Sequence, residues 1–370
     1  MKKIVVLGGS YLQSYFIKNA LKSCEVFVID GNENCYAKLN NLGNFIHIDF
    51  SNETLVKNFC IENNIESIIA PVNELGNIIA SKLSEEFGFL YNSPITVQKT
   101  SDKSFYNDVL SKSNLLKLES YDFRELDRIK LPVIVKPTQS TSSKGVSLVN
   151  KKNELQQAIE KAKLNSKNSN FKIEQFVEGR QFSIETITRN SLHQIVAVIE
   201  EHLNDPPFFF ERTDFLDSDK QNYYIALFKD YTETLLNHFG IRVGPCHIEV
   251  KVNDSGIFLI DIASRSGGSR DIMLHYGGVN YNQLILNAYL GNDLQRIAKC
   301  NVSVGAGIMA YGHDKNKLIE AENSIFFKEK YILGNSIKEQ PKTLADAYGY
   351  YFVAGVSRYE LSQILPITVN

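Results

Sequence analysis

The first hundred residues alternate short apolar runs with amphipathic stretches. Buried strands are predicted at four apolar runs, namely 3–7, 25–29, 67–70 and 89–91. Helices are predicted between them, at about 10–22, 53–63 and 74–87. Strands that are apolar throughout are typical of a parallel sheet with helices on both faces. The pattern therefore predicts a doubly wound α/β domain at the start of the chain.

The pattern changes after about residue 99 to shorter strands of mixed character, which indicates an α+β region. Strands over 133–136 and 145–149 enclose a Ser-rich loop that is too long for a tight turn. Further elements are predicted as a helix at about 153–164, a strand at 171–176, alternating strands within 181–203 and 246–262, and a helix at about 219–239. The last 70 residues mix short strands and turns.

Composition excludes several classes of protein. The formal net charge is −2 and charged residues make up 22%, so no basic excess indicates nucleic acid or an anionic membrane surface. No apolar run approaches the roughly 20 residues of a membrane span. The first run is broken at Gly8 and Gly9, which favours a buried strand over a signal peptide. The five cysteines lack CxxC spacing, so we expect no zinc site or disulfide framework, and a cytoplasmic location.

The turn after the first strand resembles a dinucleotide fingerprint only in part. Gly8, Gly9 and Ser10 follow the strand, and Asp30 ends the second strand. The later glycines of GxGxxG are missing. An ordinary strand-to-helix turn is the better interpretation.

A lysine at the end of an apolar strand is the first candidate for chemistry. Burial of the Lys136 ammonium group at this position costs free energy unless an anion pairs with it. The loop that follows, Ser140 to Gly145, is rich in hydroxyls and backbone donors and carries Lys144, so it could fold over phosphates. An exposed mobile hairpin explains this segment equally well. The strand ending in Glu174 to Gly179 could offer backbone groups to a nucleobase, although such strands are common.

A second candidate is a predicted hairpin with one acid on each strand. Glu249 and Asp261 lie within apolar stretches on either side of a turn at 254–256. Two buried carboxylates would repel each other, and a divalent cation such as Mg²⁺ would remove that cost. Arg265 follows four residues later. The alternative is a pair of solvent-facing acids on an edge hairpin.

In this order, the motifs resemble the ATP-grasp superfamily, in the branch that holds L-amino-acid ligases, carbamoyl-phosphate-synthase-like proteins, biotin carboxylases and phosphoribosylglycinamide-type ligases. The resemblance implies a Rossmann-like pre-grasp domain over 1–98, an ATP-grasp domain over 99–300 with a lid at about 125–190, and a C-terminal extension over 301–370. It further implies an ADP-forming ligase that uses ATP with Mg²⁺ or Mn²⁺, joins a small carboxylate to an amine, and forms a homodimer in some members.

The resemblance also implies roles for individual residues. Lys103 and Lys136 would contact phosphate, Glu249 and Asp261 would hold magnesium, and Arg265 would steady the transferred group, with Lys136 and Arg265 as the catalytic pair. The remaining nucleotide-side residues are Ser142, Ser143, Lys144 and Gly145 of the loop, Glu174, Gln175 and Val177 of the hinge, and Glu178, Glu185 and His247.

Two positions depart from the family pattern, and these departures leave alternative functions to consider. The second carboxylate is Asp261 where Glu is usual, and Ala263 stands where an Asn often ligates metal, so one magnesium ion would be held more weakly or through water. A purine-biosynthesis or carboxylation-type enzyme remains an alternative. So does a non-catalytic nucleotide-binding protein with a degraded metal site.

Overall fold

The computed structural model describes residues 1–206, 208–334, 337–338 and 340–366, which form three β-sheets. The first sheet is parallel, in the order β3-β2-β1-β4. Its strands are β1 Lys2–Leu7, β2 Cys24–Asp30, β3 Asn44–His47 and β4 Ser67–Ile69. Its helices are α1 Ser14–Ala20, α2 Tyr36–Leu39, α3 Glu53–Glu62 and α4 Glu74–Phe87. The predicted parallel, Rossmann-like sheet is confirmed.

Three details of this region differ from the sequence prediction. The predicted strand at 89–91 is wrong, because Phe89 and Tyr91 pack partly buried against the core without pairing to a strand. Strand β3 was missed because its residues are exposed or half-buried, so no apolar run marks it. The predicted first helix is in fact a short 3-10 turn, Tyr11–Gln13, followed by α1.

The second sheet is small and antiparallel, in the order β5-β8-β6-β7. Its strands are β5 Ser120–Tyr121, β6 Val133–Pro137, β7 Ser147–Val149 and β8 Phe171–Gln175. Helices α5 Pro94–Ser101 and α6 Tyr106–Leu110 precede it, and α7 Leu155–Leu164 packs on it. Apolar side chains of β6 and α7, including Val133, Val135 and Ile159, form its own core. The predicted hairpin with its long loop is confirmed.

The third sheet has eight antiparallel strands in the order β13-β12-β9-β10-β11-β14-β16-β15. They are β9 Arg180–Arg189, β10 Leu192–Leu203, β11 Glu211–Asp217, β12 Val243–Asn253, β13 Gly256–Ala263, β14 Val304–Ala310, β15 Phe327–Ile332 and β16 Gly349–Gly355. Its helices are α8 Ser218–Phe239, α9 Ser269–Tyr276, α10 Tyr281–Leu290, α11 Lys315–Glu322 and α12 Arg358–Ser362. The strands at 180–189 and beyond 301 therefore share this one sheet.

The sheets are tied together by shared cores. Helix α8 covers one face of the third sheet with Phe228, Leu235 and Phe239. On the other face, α9 and α10 belong to one apolar cluster with strands of the first sheet. The second sheet has a separate core. No helix in the described part of the chain is long and apolar enough to cross a membrane.

Candidate active site

A cavity of about 1280 Å³ lies where the three sheets meet. Its walls come from the turn after β1, from the β6–β7 loop and β8, and from β12 and β13. Most of the residues singled out in the sequence line it: Lys103, Lys136, Ser142, Ser143, Lys144, Glu174, Gln175, Val177, Glu249, Asp261 and Arg265. The topology thus brings together motifs that are more than 100 residues apart.

Three predicted residues do not line this cavity. Gly145 belongs to the loop that does, and Glu178 is exposed just beyond the hinge. Glu185 is fully buried on β9, behind His247. A direct contact of Glu178 or Glu185 with a nucleotide therefore has no support in this geometry.

The two predicted metal carboxylates face each other across the β12–β13 hairpin. Glu249 pairs with Asp261 in register, beside a bulge that follows Glu249. Asp261 Oδ1 accepts hydrogen bonds from Lys103 Nζ at 2.8 Å and from the Tyr106 hydroxyl at 2.6 Å. Burial works against ionisation of Asp261, but Lys103, Tyr106 and Lys136 outweigh it and lower its pKa.

This pair of carboxylates fits the chemistry of magnesium. Oxygen donors next to a cavity of nucleotide size are the ligands that Mg²⁺ takes in proteins. Ala263, at the position where an Asn was expected, is buried and offers no ligand atom. Glu249 and Asp261 would therefore hold the ion without a third side chain from this position.

A second group with metal-like spacing is better explained as an ion-pair network. Ligand atoms of Glu201, His247 and Glu249 lie within 4.8 Å of one another. His247 donates from Nδ1 to Glu185 Oε1 at 2.5 Å and from Nε2 to Glu249 Oε1 at 3.2 Å. Burial lowers the pKa of His247, but Glu185 and Glu249 outweigh it and raise the pKa to about 10. Both ring nitrogens of His247 are paired with carboxylates, so neither is directed at a metal, and His247 and Glu185 orient Glu249 instead.

Lys136 is held by a buried carboxylate that it shares with a second lysine. Lys136 Nζ lies 2.5 Å from Glu174 Oε2, and Lys172 Nζ lies 2.5 Å from Glu174 Oε1. Lys136 and Glu174 are 6% and 3% exposed. The Glu174 side chain therefore positions Lys136 at the cavity, and a nucleobase contact from this hinge would fall to Gln175 and Val177.

The β6–β7 loop has an unusual backbone. Ser142, Ser143 and Gly145 have φ values of 59°, 54° and 82°. Non-glycine residues rarely take this conformation outside tight turns and functional sites. Such a loop presents backbone N–H groups to an anion. Its position on the cavity wall supports the predicted contact with phosphates.

Aromatic rings form the wall at the hinge. The Phe176 and Phe209 ring centroids lie 5.9 Å apart, and Lys251 Nζ lies 5.2 Å from the Phe176 ring centroid. Phe209 comes from the loop between β10 and β11. Sequence reasoning missed Phe209, since nothing in the run of three phenylalanines at 208–210 indicates which ring turns to the cavity.

The opposite end of the cavity carries two arginines that are both paired. Arg265 Nε donates to Glu74 Oε2 at 2.9 Å. Arg270 forms a short contact with Glu201 and donates from Nη1 to Glu211 Oε2 at 3.0 Å. Both guanidinium groups are therefore oriented by carboxylates.

Four residues at this end were missed by the sequence analysis. Glu74, Glu211, Arg270 and Tyr350 line the cavity. They lie on four elements spread over 277 positions of sequence, and none interrupts an apolar strand as Lys136 does. One sequence feature could have indicated Arg270, because it follows the glycine pair Gly267 and Gly268 at the start of a helix.

Comparison with known proteins identifies a domain within this chain. Residues 129–272 match the ATP-grasp domain. Those residues are an ATP-grasp domain. They include the loop over the cavity, the hinge, the two carboxylates of Glu249 and Asp261, and both arginines.

Sequence relatives span most of the chain. The formate-dependent phosphoribosylglycinamide formyltransferase of Prochlorococcus marinus (strain MIT 9301) is 25% identical over 346 residues, which cover 89% of this chain and 86% of that protein. Two solved structures share the fold over nearly the whole length. The L-amino acid ligase from Bacillus licheniformis has a TM-score of 0.82 at 16% identity, with 100% and 99% of the two chains covered. The N5-carboxyaminoimidazole synthetase from Staphylococcus aureus has a TM-score of 0.76 at 16% identity, with 98% and 95% covered.

These comparisons confirm the resemblance and the ATP-grasp fold predicted from the sequence. They bear out the predicted enzyme class as well, an ADP-forming ligase that makes a C–N bond and uses ATP with Mg²⁺. The individual site residues and the domain boundaries remain predictions.

Proposed function

We propose that this protein activates a small carboxylate with ATP as an acyl phosphate and transfers the acyl group to an amine. One observation carries the proposal. Two lysines, Lys103 and Lys136, and two facing carboxylates, Glu249 and Asp261, converge on the same cavity. Cations beside a pair of oxygen ligands are the arrangement that stabilises a transferring phosphoryl group.

The proposed roles follow from these positions. Lys136, fixed by Glu174, and Lys103, fixed by Asp261, would neutralise phosphate charge. The loop at 140–145 would close over the phosphates with its backbone N–H groups. Magnesium held by Glu249 and Asp261 would supply a Lewis acid at the terminal phosphates. Arg265, fixed by Glu74, would hold the carboxylate as it becomes an acyl phosphate.

The reaction has two balanced steps. A carboxylate oxygen attacks the γ-phosphorus, the bond to the β–γ bridging oxygen breaks, and ADP leaves. The amine nitrogen then attacks the acyl carbon, phosphate leaves with the C–O bonding pair, and the nitrogen loses a proton to solvent. No enzyme nucleophile is needed, so positioning and charge stabilisation supply the catalysis.

A second candidate function follows from the names of the relatives. The sequence relatives are named for formate and phosphoribosylglycinamide, and one structural relative for a carboxyaminoimidazole. A purine-type reaction would use the same activation step with a phosphorylated amine. The two candidates differ in the second substrate.

Product analysis tests the activation step. ADP and phosphate should accumulate only when ATP, Mg²⁺ and a carboxylate are all present, and hydroxylamine should trap the acyl phosphate as a hydroxamate. The matched control is Asp254→Asn, at an exposed turn of the same hairpin, which should leave the products unchanged. AMP and pyrophosphate as the main products would overturn the proposed mechanism.

A further inference from the structure

One turn of the chain sends two side chains to the same oxygen of Asp261. Residues Lys103–Phe105 form a 3-10 turn, and Tyr106 begins α6 directly after it. Lys103 and Tyr106 are three residues apart, so they lie on the same side of this turn. Lys103 Nζ lies 2.8 Å from Asp261 Oδ1, and the Tyr106 hydroxyl lies 2.6 Å from that oxygen. The turn therefore contacts a carboxylate that lies 155 positions further along the chain.

The two contacts differ in how easily they can be exchanged. Lys103 lines the cavity, and its long side chain allows the ammonium group to turn from Asp261 to a phosphate. Tyr106 is 2% exposed and is not one of the described residues of the cavity wall. Its ring packs edge-on against Phe239, with the ring centroids 5.7 Å apart. The Tyr106 hydroxyl is therefore held in place by the core behind β12 and β13.

The proton of this hydroxyl points to the carboxylate. The Ile262 amide donates to the Tyr106 hydroxyl oxygen at 3.2 Å. The other acceptors near the hydroxyl are the carbonyl oxygens of Ile262 at 3.2 Å and Thr100 at 3.4 Å, both farther away than Asp261 Oδ1. Hydrogen bonds to an ionised carboxylate are also stronger than those to a carbonyl. Tyr106 therefore donates to Asp261 and fixes the rotation of its carboxylate group.

This fixed rotation leaves the second oxygen of Asp261 for an ion. Oδ1 also accepts from the Ile262 amide at 3.0 Å, whereas no group in the described part of the chain donates to Oδ2. Asp261 lines the cavity, and 33% of its side chain is exposed. Glu249 is arranged in a similar way, because His247 Nε2 donates to its Oε1. Partners that orient metal-binding carboxylates in this way typically change metal affinity 10–100-fold.

We infer that Tyr106 is a positioning residue for the metal, because its hydroxyl holds Asp261 Oδ1 and so presents Oδ2 to Mg²⁺. This inference rests on the proposed function, in which Glu249 and Asp261 hold the ion. Ala263 contributes no ligand atom, so the site depends on the orientation of these two carboxylates. A hydroxyl on a buried ring can set that orientation before ATP arrives, which a mobile lysine cannot do.

Removal of one hydroxyl tests the inference. Tyr106→Phe keeps the ring, and the Ile262 amide retains Asp261 Oδ1 as an acceptor, so the variant should fold. Calorimetry would measure the affinity for a non-hydrolysable ATP analogue at limiting and at saturating Mg²⁺. The affinity at limiting Mg²⁺ should stay within about twofold of the parent, and the gain in affinity on adding Mg²⁺ should fall roughly tenfold. Equal losses at both Mg²⁺ concentrations would show a merely structural role and overturn the inference.

A second buried tyrosine supplies the matched control. Tyr231 belongs to the same core cluster, and its buried hydroxyl has no hydrogen-bond partner among the described residues. Tyr231→Phe should leave the analogue affinity and its dependence on Mg²⁺ unchanged. A control that lost the Mg²⁺ gain as Tyr106→Phe does would overturn the inference, since any hydroxyl of this core would then have the same effect.

A double variant tests whether Tyr106 acts through Asp261. In the Asp261→Asn background, Tyr106→Phe should reduce the Mg²⁺ gain by less than about twofold, because the ligand that Tyr106 orients is already lost. A further tenfold loss there would show that Tyr106 acts elsewhere. If the gain persisted in Tyr106→Phe alone, the inference would fail and the proposed function would stand. If Mg²⁺ did not tighten analogue binding even in the parent, the metal step of the proposed function would fail as well.

Discussion

Lys136 Nζ and Glu174 Oε2 lie 2.5 Å apart inside the small sheet, where both residues are almost completely buried. Lys172 approaches the other oxygen of the same carboxylate. One carboxylate thus balances two buried ammonium groups. The pair fixes the position of Lys136 on the cavity wall, and its removal should affect folding as well as ATP binding.

Replacement of Glu174 should destabilise the fold strongly. Glu174→Gln keeps the side-chain volume but leaves two buried lysines without a counter-charge, which costs about 3–5 kcal/mol of unfolding free energy. Denaturant unfolding measures the loss. Glu178→Gln is the control, since Glu178 is exposed four residues later, and it should stay within about 0.5 kcal/mol of the parent. Equal stability of both variants would show that Glu174 does not balance the charges of Lys136 and Lys172.

The same carboxylate predicts how stability depends on pH. Burial raises the pKa of Glu174, but Lys136 and Lys172 outweigh it and lower the pKa from 4.5 to about 2. Because the folded-state pKa lies below the unfolded-state value, ionised Glu174 stabilises the protein above pH 4.5. That contribution is lost as the pH falls towards about 2. The difference in unfolding free energy between the parent and Glu174→Gln should shrink between pH 5 and pH 3. A constant difference across this range would show that Glu174 is not ionised in the fold.

Asp261→Asn should separate folding from catalysis. Asn retains an oxygen for the Tyr106 hydroxyl, so the hairpin should fold, but the lost charge removes a magnesium ligand and the partner of Lys103. Turnover should fall roughly 100-fold or more, equivalent to about 3 kcal/mol. The measurement is ADP release over a range of Mg²⁺ concentrations, with Asp254→Asn as the control at the exposed turn of the same hairpin. Parental activity at limiting Mg²⁺ would show that Asp261 does not hold the metal.

The sequence predicted the residues that break an apolar pattern. Lys136, Glu249 and Asp261 each interrupt a buried strand, and burial of a charge requires a partner. The same logic predicted the parallel sheet from its apolar runs. It failed at 89–91, where an apolar run packs against the core without pairing to a strand.

The residues at the end of the cavity that holds Arg265 and Arg270 could not be predicted from a local sequence pattern. Glu201, Glu211 and Arg270 lie on β10, β11 and α9, and only the order of strands in the eight-stranded sheet brings them together. Register between β10 and β11 also contains a bulge near Leu203, which no sequence pattern marks. Residues that act through tertiary contacts of this kind need the structure, because each looks like an ordinary surface charge in sequence.

Gly145 offers a test of the loop that is independent of charge. Its φ is +82°, and an added Cβ would lie 2.7 Å from Asn165 Cβ and 2.7 Å from Pro137 Cγ. Gly145→Ala should therefore displace the loop that carries Ser142 and Ser143 and weaken ATP binding by roughly tenfold or more, or about 1.4 kcal/mol. Calorimetric titration with a non-hydrolysable ATP analogue and Mg²⁺ measures this change.

The control for that variant separates backbone strain from loop position. Gly88 ends α4 with a φ of +71°, and no atom lies within 4 Å of the Cβ that alanine would add. Gly88→Ala should cost about 1 kcal/mol of stability from the left-handed backbone alone and leave ATP affinity within about twofold. If Gly145→Ala bound the analogue as tightly as Gly88→Ala does, the loop at 140–145 would not be part of the nucleotide site. If both variants lost affinity equally, the loss would come from general destabilisation rather than from the loop. Only a loss confined to Gly145→Ala agrees with a loop whose backbone contacts the phosphates.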